Sequence, residues 1–331
     1  MEMLRRVTRE WPILSFLVLC FFITWSIWFS APSIAGTDWA FVKIIVGAGF
    51  GPAIAAIVLA QLNGTGCSVK TLKWWGTFSL TFVLMCCIYS SVLSTGDAIT
   101  LAQFEHATPV GFTVKSVISV VISSAVTGFI VACLNCSKDA RLKSLFTQPK
   151  QKRWLFIAFF LPAGWMSLGI LTAYLTDSPI QSFAINWSDS SHLIFLTRSI
   201  LFTFFVVAIG EEAGWRAWLL PELQKRFSPL ASSFYLGLVW GAWHFPLFVI
   251  GQYAESPIAT IAKMGACVLL ATMFTYLFNR SNQSLLVAVL FHTALNNSAR
   301  VLPLTEQSGI FMLMVFVAMI FLGKMWKRQL N

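Results

Sequence analysis

A chain of 331 residues that is 57% hydrophobic and 11% charged has more apolar surface than a soluble domain of its size can hide. Its net charge of +10 reads as basic loops beside a membrane, so no nucleic-acid partner is expected. The apolar stretches are continuous instead of short and alternating, which excludes a closed β-barrel. The expected fold class is all-α: a polytopic transmembrane helical bundle.

In chain order, Arg5, Arg6 and Arg9 precede an apolar run over 12–30. Ser33-Ile34-Ala35 resembles a signal-peptidase site, but the run is longer than a usual signal core, so an uncleaved first helix is expected. Further spanning segments follow at 39–61, 75–95, 113–135, 154–176, 200–223, 230–252, 258–278, 282–299 and 307–324, giving about ten helices. Lys and Arg collect at the N-terminus, at 63–74, at 136–153, at Lys225 and Arg226, at Arg280 and in the tail. The alternate loops carry Asp38, Asp97, Glu105, Asp177, Asp189 and Glu255 instead. By the positive-inside rule this is a multi-pass protein of the cell membrane with both termini cytoplasmic, Arg300 being the one exception. Trp74, Trp75, Trp154 and Trp165 suit interfacial belts. The seven cysteines show no disulfide framework, and Cys133-Leu-Asn-Cys136 lacks the second pair that a zinc site needs.

Glu211-Glu212-Ala-Gly-Trp-Arg216 interrupts one of the most apolar runs. A charge at mid-bilayer costs about 2.5–3.5 kcal/mol on insertion scales, so these groups require partners. His244, and His292 with Asn296, are the candidates. Counted from the basic ends of their segments, Glu211, His244 and His292 all lie roughly 18–21 Å deep, which brings three segments to a common layer. Glu212 and Arg216 are spaced i and i+4 with the acid first, the favourable order on one helix face, and Glu211 is turned about 100° from Glu212. His292 and Asn296 share a face by the same spacing, as do Trp240 and His244. Gly237 and Gly241 permit close helix approach. Taken singly, each residue has a structural reading: the histidines as interhelical hydrogen-bond partners, Glu212–Arg216 as a structural pair, Asn297 as packing glue. Arg198 is expected to snorkel outward, and His106 and His192 to lie in outer loops.

Water attack on an amide needs a base for the water and a donor for the oxyanion. Glu211 and His244 are candidates for the first task, His292 and Asn296 for the second. Alternatively Glu211, His244 and His292 bind a divalent metal such as zinc, with an open position for water. No His-Glu-x-x-His or Gly-x-Ser-x-Gly stretch occurs.

The stretches Glu211–Arg216, Trp240-Gly-Ala-Trp-His244 and His292-Thr-Ala-Leu-Asn296 resemble, in order, the three motifs of the CAAX-processing and bacteriocin-protecting (CPBP, or Abi) intramembrane protease family. The likeness runs over about 154–300 and includes Leu-Leu-Pro221 and Phe278-Asn-Arg280. It implies a glutamate-dependent endopeptidase in which Glu211 and His244 activate water, His292 and Asn296 form the oxyanion site, and Glu212 and Arg216 give support. Whether a metal takes part is debated for the family. Trp240 stands where the second motif has Phe, and Ala217 where a glycine often follows the arginine. The family core has eight helices, so the third and fourth segments are additions.

The organisation expected is therefore 1–153 as N-terminal transmembrane helices, 154–300 as the protease core, and 301–331 as the last helix and tail. The partners are the lipid bilayer and a peptide or membrane-protein substrate. Two other readings compete: a secondary transporter using buried ionisable groups, for which no inverted repeat is evident, and a non-catalytic immunity or scaffold protein.

Overall fold

A computed structural model describes residues 2–35, 49–95, 113–181, 183, 185, 188–253 and 256–328. Asp38, Asp97, Glu105, His106, Glu255 and the first part of segment 39–61 fall outside the described residues. The described chain is all-α, in keeping with the composition. A charged helix α1 (Glu2–Glu10) leads into α2 (Pro12–Ala35), followed by α3 (Gly51–Leu62), α4 (Leu72–Thr95), α5 (Val114–Cys136) and α6 (Arg153–Leu175). The long helix α7 runs from Ser190 to Gln224. Then come α8 (Pro229–Trp243), a short α9 (Phe245–Val249), α10 (Pro257–Arg280), α11 (Leu285–Val301) and α12 (Glu306–Gly323).

Helix starts follow their sequence signals. Asp189, Ser228 and Thr305 accept hydrogen bonds from the amides of Ser191, Ala231 and Ser308, capping α7, α8 and α12. Pro229 and Pro257 begin α8 and α10, where a missing N–H costs nothing. Among the described residues, 7 helices are long and apolar enough to cross a membrane. The 15-residue α8 and 17-residue α11 are shorter.

Segment 230–252 differs from its expectation as one continuous helix. It breaks at His244, whose amide bonds Gly241 O at 3.2 Å, and α9 restarts with Pro246 in its first turn. Proline has no amide to continue the ladder and its ring crowds the carbonyl four residues back, so the helix turns there. Trp165, expected at an interface, is buried with its ring centroid 6.2 Å from that of Phe291, because α6 packs against α11 and α12. His192 is buried in the first turn of α7 instead of lying in a loop.

Small residues set the closest helix approaches, as expected where lipid gives no hydrophobic drive between helices. α8 lies along α10, and a methyl group on Gly237 would sit 2.5 Å from the Val268 Cα. One on Gly241 would sit 2.9 Å from the Met264 Cα. Gly214, within the acidic stretch of α7, lies so close to Pro52 of α3 that a methyl group would come 2.4 Å from the proline Cβ. The N-terminal helices reach the same region, where Phe16 packs edge-on against Trp215 and the Trp25 indole donates to Trp243 O.

At the basic end of the bundle Arg141 pairs with Asp139 at 2.8 Å and Glu222 at 3.4 Å, and Lys225 also reaches Glu222. Burial pushes the Asp139 carboxyl up, but the Arg141 guanidinium outweighs this and holds it below its ordinary range.

Backbone contact at Gly237 makes it sensitive to one methyl group. Gly237→Ala should lower the thermal stability of detergent-solubilised protein by about 1–3 kcal/mol. Gly265→Ala, on the open side of α10 where an added methyl group meets nothing within 4 Å, should be neutral or slightly stabilising.

Candidate active site

The acidic stretch of α7 has unusual local geometry. Thr203–Ala208 and Trp215–Leu219 on either side of it widen to i→i+5 hydrogen bonding. Such widened turns are rare and shift the facing of the residues beside them. Between them, Ile209–Gly214 is ordinary α-helix and carries Glu211 and Glu212, both buried.

The two acids serve different partners. The Glu212 carboxylate lies 2.7 Å from His292 Nδ1 on α11 and 3.0 Å from Arg216 Nη1 one turn along α7. Arg216 is fully buried, and its guanidinium carbon lies 4.0 Å from the Phe274 ring centroid and 4.6 Å from that of Trp240. Its Nε and Nη2 have no acceptor among the described residues, so the two aromatic faces are what meets the rest of its charge. Glu211 turns to α8 and accepts a 2.6 Å hydrogen bond from the Trp240 indole through Oε2.

Trp240 joins the set. Its ring centroid lies 6.0 Å from that of His244 and 6.1 Å from that of His292. Glu211, His244 and His292 thus gather around one tryptophan, the convergence that the common depth predicts. Both imidazoles are held through Nδ1. His244 Nδ1 lies 2.8 Å from the Trp240 carbonyl, which can only accept, so this nitrogen carries the proton and leaves Nε2 as the free ring nitrogen. His292 Nδ1 lies 2.7 Å from Oε1 of the Glu212 carboxyl group. Asn296, one turn beyond His292, is half-buried and makes no side-chain hydrogen bond among the described residues. Its neighbour Asn297 accepts from Ser199 at 2.8 Å and donates to Thr293 O, the packing role expected of it.

Arg300 also finds its place here. Its Nη1 donates to the Ser199 and Thr203 hydroxyls of α7, so its charge is not free in a loop. Arg198, expected to snorkel, is buried with its guanidinium 5.6 Å from the Phe195 ring.

Sequence reasoning passed over three contributors. Trp240 was noticed as a departure from Phe, yet the departure itself supplies the N–H that Glu211 accepts. Phe274 lies beneath Arg216. Lys263 is the only basic residue in the apolar run 258–278, which could have drawn attention to it.

No trio of His, Cys, Asp and Glu side chains converges as a metal-holding set among the described residues. Glu211 Oε2 and both Nδ1 atoms are turned to protein partners, which leaves Glu211 Oε1 and the two Nε2 atoms as the atoms a metal would have to use. As placed, these side chains do not converge on one point as three zinc ligands do.

A buried cluster of two carboxyl groups and two oriented imidazoles inside a multi-pass helical protein, with Asn296 one turn along α11 from His292, suits an intramembrane hydrolase acting on peptide bonds. Residues 193–298 match the family model of the type II CAAX prenyl endopeptidases, Rce1-like. The chain is also 24% identical over 192 residues to the CAAX prenyl protease 2 of Methanococcus maripaludis, covering 53% of this chain and 68% of that relative. Over this stretch, which holds all three motifs, the chain is similar to the type II CAAX prenyl endopeptidases.

Arg216→Ala removes the partner of a buried carboxylate and empties the space between two rings. Folded yield in detergent should fall with a loss of about 3–5 kcal/mol, read by thermal unfolding. Retention of full stability would show that Glu212 does not depend on the arginine.

Proposed function

We propose that the chain hydrolyses a peptide bond of a membrane-associated substrate, with Glu211 and His244 activating water and His292 and Asn296 stabilising the oxyanion. One observation carries this reading: the adjacent acids are differently engaged. Glu212 is bound by an arginine and an imidazole, whereas Glu211 is held through one oxygen by one indole N–H. The second oxygen of Glu211 and Nε2 of His244 are then free to take a proton from water.

The same geometry constrains His292. With Nδ1 committed to Glu212, a neutral ring would present a bare Nε2, which cannot donate to an oxyanion. The donor role requires the imidazolium, for which a carboxylate at 2.7 Å is a fitting partner. Glu212 is therefore a positioning residue that keeps His292 a donor, and Asn296 supplies the second donor from the same face of α11. The basic loops support a setting in the cell membrane with both termini cytoplasmic. The names of the family and of the relative make a prenylated peptide of the CAAX type the first substrate to try.

Glu211→Gln keeps the shape and the bond to Trp240 but removes the base. Cleavage of a prenylated CAAX peptide in proteoliposomes should fall by about 10²-fold or more with folding intact. Asn296→Ala should cost about 10²–10³-fold. The pair Glu211→Gln/His244→Ala should be little worse than either single change, since groups acting as a unit are non-additive. Equal cleavage by folded Glu211→Gln and native protein would sink the assignment and favour the transporter reading, which solute uptake in the same vesicles would test.

Glu212→Gln separates support from chemistry. It should lower the rate of cleavage while leaving the KM for peptide little changed, because the donor it sustains acts on the oxyanion and not on the bound ground state. A change confined to KM would assign Glu212 to substrate binding instead.

A further inference from the structure

Two thiols meet at the basic end of the bundle. Cys67 lies in the turn between α3 and α4, and its Sγ stands 2.9 Å from the Sγ of Cys133 in the last turn of α5. The two residues are 66 apart in sequence, so no local spacing pairs them. The turn that carries Cys67 is fixed by other groups. Gly66 folds so tightly onto Gln61 that a methyl group there would come 2.7 Å from the Gln61 Cα. Thr65 O then accepts from the amides of Lys138 and Asp139, at 3.0 and 3.1 Å, and from the Ser137 hydroxyl. From α4, Lys73 donates to Asn135 O, and the Asn135 amide donates to Thr77. Cys67 and Cys133 are thus set face to face by bonds that involve neither sulfur.

The two thiols differ as the members of a reactive pair do. Cys67 is half-buried and reachable from the turn, whereas Cys133 is buried. The Cys133 thiol beside it holds Cys67 below the ordinary thiol range, outweighing the effect of partial burial. The buried Trp74 indole N–H, without a hydrogen-bond partner among the described residues, lies beside both sulfurs and favours a thiolate there. Disulfide sulfurs are about 2.0 Å apart, so closing this pair from 2.9 Å takes a shift of about an ångström. The backbone bonds around Thr65 can stay as they are.

We propose that Cys67 and Cys133 form a reversible modification site, joined as a disulfide by hydrogen peroxide and reopened by a dithiol. The Cys67 thiolate attacks one peroxide oxygen, the O–O bond breaks, and the other oxygen takes a proton and leaves as water. Cys67 is then a sulfenic acid. Cys133 sulfur attacks it: the S–S bond forms, the S–O bond breaks, and that oxygen leaves with the Cys133 proton as a second water. Two thiols and one peroxide give one disulfide and two waters, the two sulfurs losing two electrons to the peroxide. A dithiol reverses the step by exchange, becoming a disulfide itself. The bridge would join α5 to the turn after α3, the helix whose Pro52 bears on Gly214 of the acidic stretch. Oxidation therefore restrains a support of the reactive cluster without consuming any of its groups, whatever reaction that cluster performs.

The test uses the full chain in proteoliposomes. Native protein is exposed to hydrogen peroxide, its remaining thiols are alkylated, and its peptides are mapped by mass spectrometry without reduction. The peptides holding Cys67 and Cys133 should appear joined, should separate with dithiothreitol, and should join before the buried Cys20 and Cys267 are lost. Oxidation should raise the unfolding temperature of native protein by about 5–10 °C, because a bridge across a long loop restricts the unfolded chain. That rise should vanish in Cys67→Ser and in Cys133→Ser and persist in Cys136→Ser. The mapping is read on native protein, so it decides the proposal even where a variant folds poorly. Recovery of Cys67 as a free thiol, or as a sulfinic acid with no bridge, overturns the proposal. A bridge to Cys136 in place of Cys133, or a temperature rise that survives in folded Cys67→Ser, overturns it too.

Discussion

The bifurcated engagement of Glu212 is the contact on which the rest of this site depends. One carboxylate with no exposed surface binds a guanidinium on its own helix and an imidazole on another. Breaking either side leaves a buried charge uncompensated, which is far more costly than an exposed pair is worth. The arginine in turn needs Phe274 of α10 and Trp240 of α8 against its faces. Four helices are therefore tied to one ionic centre, and the aromatic layer around it keeps the low dielectric that makes each contact strong. In lipid, where apolar packing alone gives helices little reason to associate, such a centre also specifies which helices must meet.

Adjacent acids suit this arrangement because a helix turns about 100° between successive residues. One acid can then be given wholly to structure while the next faces a different helix. The widened turns on both sides of Ile209–Gly214 and the break at His244 belong to the same solution. A regular helix through His244 would carry its imidazole along a fixed spiral. At the break the ring is held instead by a local bond to the Trp240 carbonyl, with Trp243 and Tyr253 on either side.

What the sequence made legible was whatever is energetically loud. Carboxylates, imidazoles and an arginine inside apolar runs cannot go unpartnered, so Glu211, Glu212, Arg216, His244 and His292 announced themselves, and helix spacing paired Glu212 with Arg216. Helix existence was equally plain, since apolar runs of spanning length have few alternatives in a membrane. Quieter features stayed hidden. The Trp240–Glu211 bond joins residues 29 apart and depends on how two helices dock, which no local pattern encodes. Trp165 was placed at an interface because tryptophan often sits there, but in a bundle this rich in aromatics the core takes them as well. Arg300 broke the charge rule for loops only because that rule assumes a solvated side chain, and the hydroxyls of Ser199 and Thr203 were a better destination. The break at His244 was signalled by Pro246, yet the uninterrupted apolar run masked it.

Charge balance connects the structure to the proposed chemistry. Two adjacent carboxyl groups share the apolar layer with the Arg216 guanidinium, and an unbalanced charge is expensive to bury there. In the proposed chemistry His292, already in contact with Glu212, holds the donor proton, and Glu211 is the base that acts on water. The carboxyl group that holds Arg216 is then also the one that steadies the oxyanion donor, so stability and the proposed chemistry rest on the same contacts. In the mechanism proposed above, Glu211 gains a proton as water is split across the substrate carbonyl, and negative charge moves from α7 toward His292 and Asn296 on α11. Little charge has to appear or vanish within the apolar layer: it shifts by a few ångströms between groups already placed to receive it, which is how a preorganised site lowers a barrier where bulk water is absent.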